Sequence, residues 1–142
     1  MTINEQQDAI IEDFSLFSDW MDKYEYIIQL GKDLPMIEDR YKTDDNLIRG
    51  CQSRVWLHAD YRDGKVFFTA DSDAVITKGL VSMVILVLSG HTPKEIVDAD
   101  VYFIDAIGLR NHLSPTRSNG LLSMLKQIKL YALALQAKSM QS

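Results

Sequence analysis

Apolar residues recur along this chain with two different periods. Ile10, Phe14, Phe17 and Met21 fall at helical spacing and predict an amphipathic helix over about residues 5–18. A second helix is predicted from about Asp19, with Met21, Tyr24, Ile27 and Ile28 as its apolar positions and Gly31 as its C-terminal stop. Leu34-Pro35 breaks the pattern, and the charged stretch 38–46 reads as a loop. The period then changes to two. Val55, Leu57, Ala59 and Tyr61 alternate with Trp56, His58, Asp60 and Arg62, and Asp63-Gly64 follows as a type I′ turn, which needs φ > 0 at both positions. Pairing outward from that turn sets Tyr61 opposite Val66, Ala59 opposite Phe68 and Leu57 opposite Ala70. All six are apolar and share one face, so turn and pattern predict the same register. A shorter strand at about residues 47–49 precedes the hairpin, joined to it by Gly50-Cys51-Gln52.

The second half has helical periodicity. Ser72 or Asp73 is positioned to cap an apolar helix running to about Ser89. Thr92-Pro93 opens a short helix, with proline at its first position and Glu95 completing a capping box. Another short segment covers about residues 102–107. The last helix follows Ser114-Pro115-Thr116 and turns Leu121, Leu125, Ile128, Ala132 and Leu135 inward. Strands followed by helices predict an α+β fold, a short antiparallel sheet of about three strands packed against helices.

Composition narrows the function. The 142 residues fit a single domain, 1–142, that buries enough surface to fold without staples. The net charge of −5, with no run of Lys or Arg, argues against nucleic acid or an anionic membrane as partner. The apolar run 80–88, broken by Ser82, is far short of the ~20 residues that span a bilayer. The acidic start MTINEQQDAIIED resembles neither a secretory signal nor a transit peptide, so a cytoplasmic protein is expected. The single cysteine excludes an internal disulfide and any thiolate cluster for zinc or iron–sulfur within one chain.

That cysteine is the first candidate for chemistry. Cys51 follows a glycine in a tight connection, flanked by Gln52 and Ser53, away from the packing positions of either strand. Gln52 has the amide groups to orient such a loop by hydrogen bonding. Arg117 sits near a helix N-terminus, where the dipole does not favour a cation. His58, His91 and His112 show no spacing that converges on Cys51 or on a metal, so no metal site is expected.

The stretch Gly50-Cys51-Gln52-Ser53-Arg54-Val55-Trp56 resembles the cysteine-loop motif of the SufE family of sulfur-acceptor proteins. The likeness extends over nearly the whole chain, in order. Trp20-Met21-Asp22-Lys23-Tyr24, Ile27-Ile28-Gln29-Leu30-Gly31 and Leu34-Pro35 are similar to the family's N-terminal helices. Asp71-Ser72-Asp73-Ala74 with Lys78-Gly79-Leu80 resembles its central helix start. His112-Leu113-Ser114-Pro115-Thr116-Arg117-Ser118-Asn119-Gly120-Leu121 resembles its last loop and helix. The resemblance implies a fold like that of IscU-type scaffolds. It also implies that Cys51 takes persulfide sulfur from a PLP-dependent cysteine desulfurase, stimulates that enzyme, and hands the sulfur to an iron–sulfur cluster assembly scaffold. No cofactor is implied for this chain; the PLP belongs to the partner. The resemblance also implies binding or loop-positioning roles for Asp73 and Arg117. Arg54 is a departure, standing where Gln is familiar in the family.

A different class of reading is a Cys-dependent hydrolase or transferase, in which His112 or His58 approaches Cys51. No nucleophile-elbow or papain-type motif accompanies the cysteine. A third is a pure interaction module in which Cys51 is incidental. The apolar face of residues 55–70, the run 80–88 and the last helix are further expected to form a pocket beside the cysteine loop. Such a pocket would shelter a persulfide from cytosolic thiols, and Gly50 would let the loop move at little steric cost.

Overall fold

The computed structural model of the chain describes residues 1–48 and 53–140. Helix α1 spans Ile3–Ser15 and begins at Thr2, whose hydroxyl accepts the Glu5 N–H while the Glu5 carboxylate accepts the Thr2 N–H. This capping box starts the helix earlier than periodicity alone indicates. The chain leaves the helix at Leu16, and Phe17 packs outside it against Tyr26 at 5.2 Å. Helix α2 spans Trp20–Gly31, with the Asp19 carboxylate accepting the Asp22 N–H at 2.9 Å.

Gly31 is a glycine for a reason other than the predicted stop. The chain continues through Lys32 in the right-handed region. A side chain at Gly31 would meet the backbone nitrogen of Gly79 at 2.9 Å, and one at Gly79 would meet the Ile27 carbonyl oxygen at 2.1 Å. Two helices therefore cross backbone to backbone. The second is α3, Val75–Leu88, which is buried on nearly every side from Gly79 onward. Ser82 seals the crossing, its hydroxyl donating to the Leu30 carbonyl at 2.7 Å.

Strands β1, Val55–Arg62, and β2, Lys65–Ser72, form an antiparallel hairpin in the predicted register: Leu57 with Ala70, Ala59 with Phe68, Tyr61 with Val66. Asp63 and Gly64 supply the turn at φ 54° and 78°. The inner face, with Leu57, Val66, Phe68 and Ala70 buried, lies in one core with Ile27, Val84 and Leu88. Of the third strand expected at about residues 47–49, residue 49 lies outside the described residues. Asp44, Asp45 and Asn46 wind into a 3₁₀ turn, and the pairing that follows is a single bridge from Leu47 to Trp56.

Beyond α3 come α4, Pro93–Asp98, with the predicted Thr92–Glu95 capping box, and α5, Phe103–Ala106. Helix α6, Pro115–Met140, closes the fold and buries Leu121, Met124, Ile128 and Ala132, with Leu125 and Leu135 partly buried beside them. Lys129 donates to the carbonyls of Val97 and Ala99 where α4 ends. Gln7 is a fully buried polar side chain with its hydrogen bonds made: its carbonyl accepts the N–H groups of Tyr102 and Phe103, and its amide donates to the Asp100 carbonyl. That satisfied amide ties α1 to α5.

On the outer sheet face, Asp71 is held by Lys42 at 2.6 Å and Lys78 at 3.6 Å. Burial alone would raise its carboxyl pKa, but the Lys42 ammonium, the Ser72 N–H and Lys78 outweigh it and hold the carboxyl below the usual range.

This packing makes two glycines unequal. Gly79→Ala places a methyl group inside the Ile27 carbonyl and should cost at least about 2–3 kcal/mol. Gly64→Ala, with open space around it and only the positive φ to oppose it, should cost about 1 kcal/mol. Urea unfolding of both variants checks the order. Asp71→Asn should be less stable than wild type at neutral pH. Because the folded-state carboxyl is depressed, that deficit should begin to shrink as pH falls below about 4, where the unfolded carboxyl takes up its proton, and be lost once the native carboxylate protonates at lower pH. A deficit constant from neutral to acid pH would show that the ionised form contributes nothing.

Candidate functional site

The site is built where three elements meet beside the cysteine connection: the start of β1, the first turns of α3 and the first turns of α6. Residues 49–52, including Cys51 and Gln52, lie outside the described residues. What surrounds the returning leg of that connection, from Ser53, is well defined.

The leg is clamped at Arg54. Its N–H donates to the Asp73 carboxylate at 3.0 Å, and the Asp73 N–H donates back to its carbonyl at 3.3 Å. Asp73 is therefore not the cap of α3. The N-cap position is Ala74, without a side-chain bond, and the Asp73 side chain is turned to the strand instead. A carboxylate that accepts a backbone N–H and a backbone that returns the bond hold two chain segments in register at one point. One residue earlier, the Thr77 hydroxyl donates to the Ser53 hydroxyl at 3.5 Å. The Arg54 side chain is exposed.

Behind the clamp is a small apolar cavity of about 20 Å³. Val55 and Ser53 form one wall, Leu80 and Val81 of α3 another, and Leu121 and Met124 of α6 the third. Its volume is near the lower bound for one small guest. Of the loop 50–53 beside which a pocket was expected, Ser53 alone is described, and it lines this cavity. Thr77, Leu80 and Val81 share one face of α3, and Arg117, Gly120, Leu121 and Met124 follow at the i, i+3, i+4, i+7 spacing on α6. Sequence reasoning named the run 80–88 and the last helix but missed Thr77 and Met124; that shared spacing was the available signal.

Arg117 is the one cation lining the cavity among the described residues. It is exposed, and its guanidinium has no partner among the described residues, while its backbone N–H donates to the Ser114 hydroxyl at 3.2 Å. A cation in the first turn of a helix gains nothing from the dipole. The segment that delivers it is fixed from α2: Trp20 stacks on His112 at 3.7 Å, and the Tyr24 hydroxyl donates to the His112 carbonyl at 2.5 Å.

The three histidines are occupied elsewhere. His58 stacks on Tyr41 at 3.8 Å and bonds Asp60; His91 lies 3.7 Å from Glu95; His112 is stacked on Trp20 and faces the Gly108 carbonyl. None lines the cavity. Among the described residues no cluster of His, Cys, Asp or Glu is arranged to hold a metal, and no helix is long and apolar enough to cross a membrane.

The fold and the sequence both have relatives. The solution structure of a hypothetical protein from Thermus thermophilus superposes with a TM-score of 0.76, covering 96% of this chain and 97% of that one at 19% identity, which establishes the likeness of fold. An uncharacterized SufE-like protein of Rhizobium meliloti (strain 1021) is 44% identical over 127 residues, covering 86% of this chain and 91% of the relative. A second from Rhizobium etli is 43% identical over 127 residues, with 86% of each chain covered. Residues 8–132 match the family described as SufE, Fe-S metabolism associated domain, and with most of its length so matched this chain belongs to the SufE family.

Proposed function

We propose that the protein accepts persulfide sulfur on Cys51 from a PLP-dependent cysteine desulfurase, stimulates that enzyme, and passes the sulfur to an iron–sulfur assembly scaffold in the cytoplasm. Membership of a family associated with iron–sulfur metabolism supports the setting. The observation that carries the reading is the apolar cavity at the returning leg of the cysteine connection, with Arg117 on its lining.

The chemistry asks little of this chain. The Cys51 thiolate attacks the terminal sulfur of the donor's persulfide. A sulfur–sulfur bond forms to Cys51 as the donor's sulfur–sulfur bond breaks, and the donor cysteine leaves as its thiolate. No electron acceptor is consumed, and PLP remains with the donor. Exposed sulfane sulfur is open to attack by any cytosolic thiol. A cavity walled by Val55, Leu80, Val81, Leu121 and Met124 excludes such thiols and disfavours an uncompensated thiolate. Arg117, a cation beside it, supplies the opposite influence when a partner draws the sulfur to the rim. Asp73 acts through the backbone of Arg54, and Gln52 orients the connection next to the cysteine.

A Cys–His hydrolase would need an imidazole at the cavity, and His58, His91 and His112 are each engaged away from it.

Three outcomes are expected. Cys51→Ser should fold with an unchanged melting temperature but gain no sulfur when incubated with desulfurase and cysteine, whereas wild type gains one sulfur atom by mass spectrometry; persulfide formation in the variant would sink the reading. Wild-type Cys51 should alkylate with iodoacetamide more slowly than a cysteine peptide and faster once a persulfide-incompetent desulfurase is added. Asp73→Ala should raise the rate in the free protein severalfold, because the Arg54 clamp is released. Alkylation of the free protein at the peptide's rate would show that the sulfur has no shelter.

A further inference from the structure

The two outer edges of the hairpin differ. Along β2, the groups that point away from β1 belong to Val66, Phe68 and Ala70. The Val66 N–H donates to the His91 carbonyl and the Val66 carbonyl accepts the Gly90 N–H; the Phe68 N–H donates to the Ser89 hydroxyl; Ala70 exchanges bonds with Pro35 and Ile37. Since Val66 stands opposite Tyr61, Phe68 opposite Ala59 and Ala70 opposite Leu57, the outward groups of β1 are those of Leu57, Ala59 and Tyr61, and beyond them Val55. Among the described residues only the beginning of that edge is covered, by the Ile48 N–H on the Val55 carbonyl and the Leu47–Trp56 bridge. At Ala59 and Tyr61 the outward N–H and C=O groups have no hydrogen-bond partner among the described residues. Tyr61 is 44% exposed.

We infer that this vacant half of the third-strand position docks an extended segment of a partner protein, with apolar residues alternating with cationic ones. A free edge is a template for strand addition: the backbone groups supply the bonds, and alternate side chains supply selectivity. The inner-face neighbours are Ala59 and Tyr61, which call for apolar side chains. The outer-face neighbours are His58, Asp60 and Arg62. Arg62 is drawn across the hairpin onto the Phe67 ring at 4.5 Å, which leaves Asp60, half exposed and bonded to the His58 ring at 3.1 Å, as the acidic group of this side. At the covered end, Asp44 and Asp45 are exposed and without an ion pair among the described residues. They border a groove of about 490 Å³ between residues 44–48 and α6, with Leu130, 49% exposed, on its far wall. Acidic groups thus line one side of this largely polar groove, whose α6 side carries Lys126 and Gln127 beside Leu130. The inference is independent of the sulfur chemistry proposed for Cys51.

The probe is an acetylated, amidated peptide alternating lysine and valine, titrated into the isotope-labelled full chain and followed by amide NMR and hydrogen exchange. Saturable shifts and slowed exchange are expected at the Ala59 and Tyr61 amides, and little change at His58 and Asp60, whose N–H groups face β2. A glutamate–valine peptide should bind severalfold more weakly, the scale of a cross-strand charge pair. Tyr61→Pro removes an outward donor that bonds nothing internally and should abolish the response. Asp60→Lys, which leaves the backbone intact, should reverse the preference between the peptides. Ala59 and Tyr61 amides as protected as Phe68 in dilute free protein would overturn the inference. So would protection that grows with protein concentration without peptide, which makes a second copy the occupant, or equal responses to the two peptides.

Discussion

The absence of a side chain at Gly79 sets the depth of the whole assembly. With the Ile27 carbonyl 2.1 Å from where a Cβ would stand, α2 and α3 meet backbone to backbone, and no other residue fits that contact. Close approach draws α3 into the middle of the core, where α1, α2, the hairpin and α6 all bury surface on it. It also fixes the site. Thr77, Leu80 and Val81 lie within one turn of Gly79, so the wall they give the cavity stands at a distance from Val55 and Leu121 that the glycine crossing decides. In a close-packed interior a shift at the crossing would be transmitted to the cavity rather than absorbed.

The site opposes two kinds of environment across a few ångströms. The cavity is apolar, while its lining includes a guanidinium unpaired among the described residues. An apolar wall penalises charge on a guest, and a cation rewards it. A group free to move between them changes reactivity without any change in covalent structure. The clamps at Ser53 and Arg54 fix the start of the returning leg to α3 and to the β2–α3 junction.

The hairpin shows a related economy. Its β2 edge is sealed by two separate segments, 35–37 and 89–91, while among the described residues the β1 edge is covered only where Leu47 and Ile48 reach it. The covered half lies next to the cysteine connection and the open half next to the turn. A two-stranded sheet with only one edge capped depends on α-helical packing of its inner face for stability, which Leu57, Val66, Phe68 and Ala70 provide.

Local signals carried much of this in the amino-acid order itself. The Asp63-Gly64 turn and the alternation on both sides of it determined the hairpin and its register, because a two-residue turn and a period of two leave one pairing. The Thr92–Glu95 capping box and the α6 stripe were legible for the same reason: partners three or four residues apart on a helix necessarily meet. The motif around Cys51 marked the family. What needed tertiary structure were the contacts between residues remote in the chain. Asp73 had the sequence context of a helix cap, but the nearby Arg54 N–H, 19 positions earlier, claimed its carboxylate. Gly31 had the context of a helix stop and proved to be half of a crossing with Gly79. The 3₁₀ turn of residues 44–46 ahead of the Leu47 bridge was not legible in the charged stretch, and the cavity took shape only when α3 and α6 came together over Val55. Periodicity records which face of an element is buried; it does not record what that face meets, because that is set by how the elements pack.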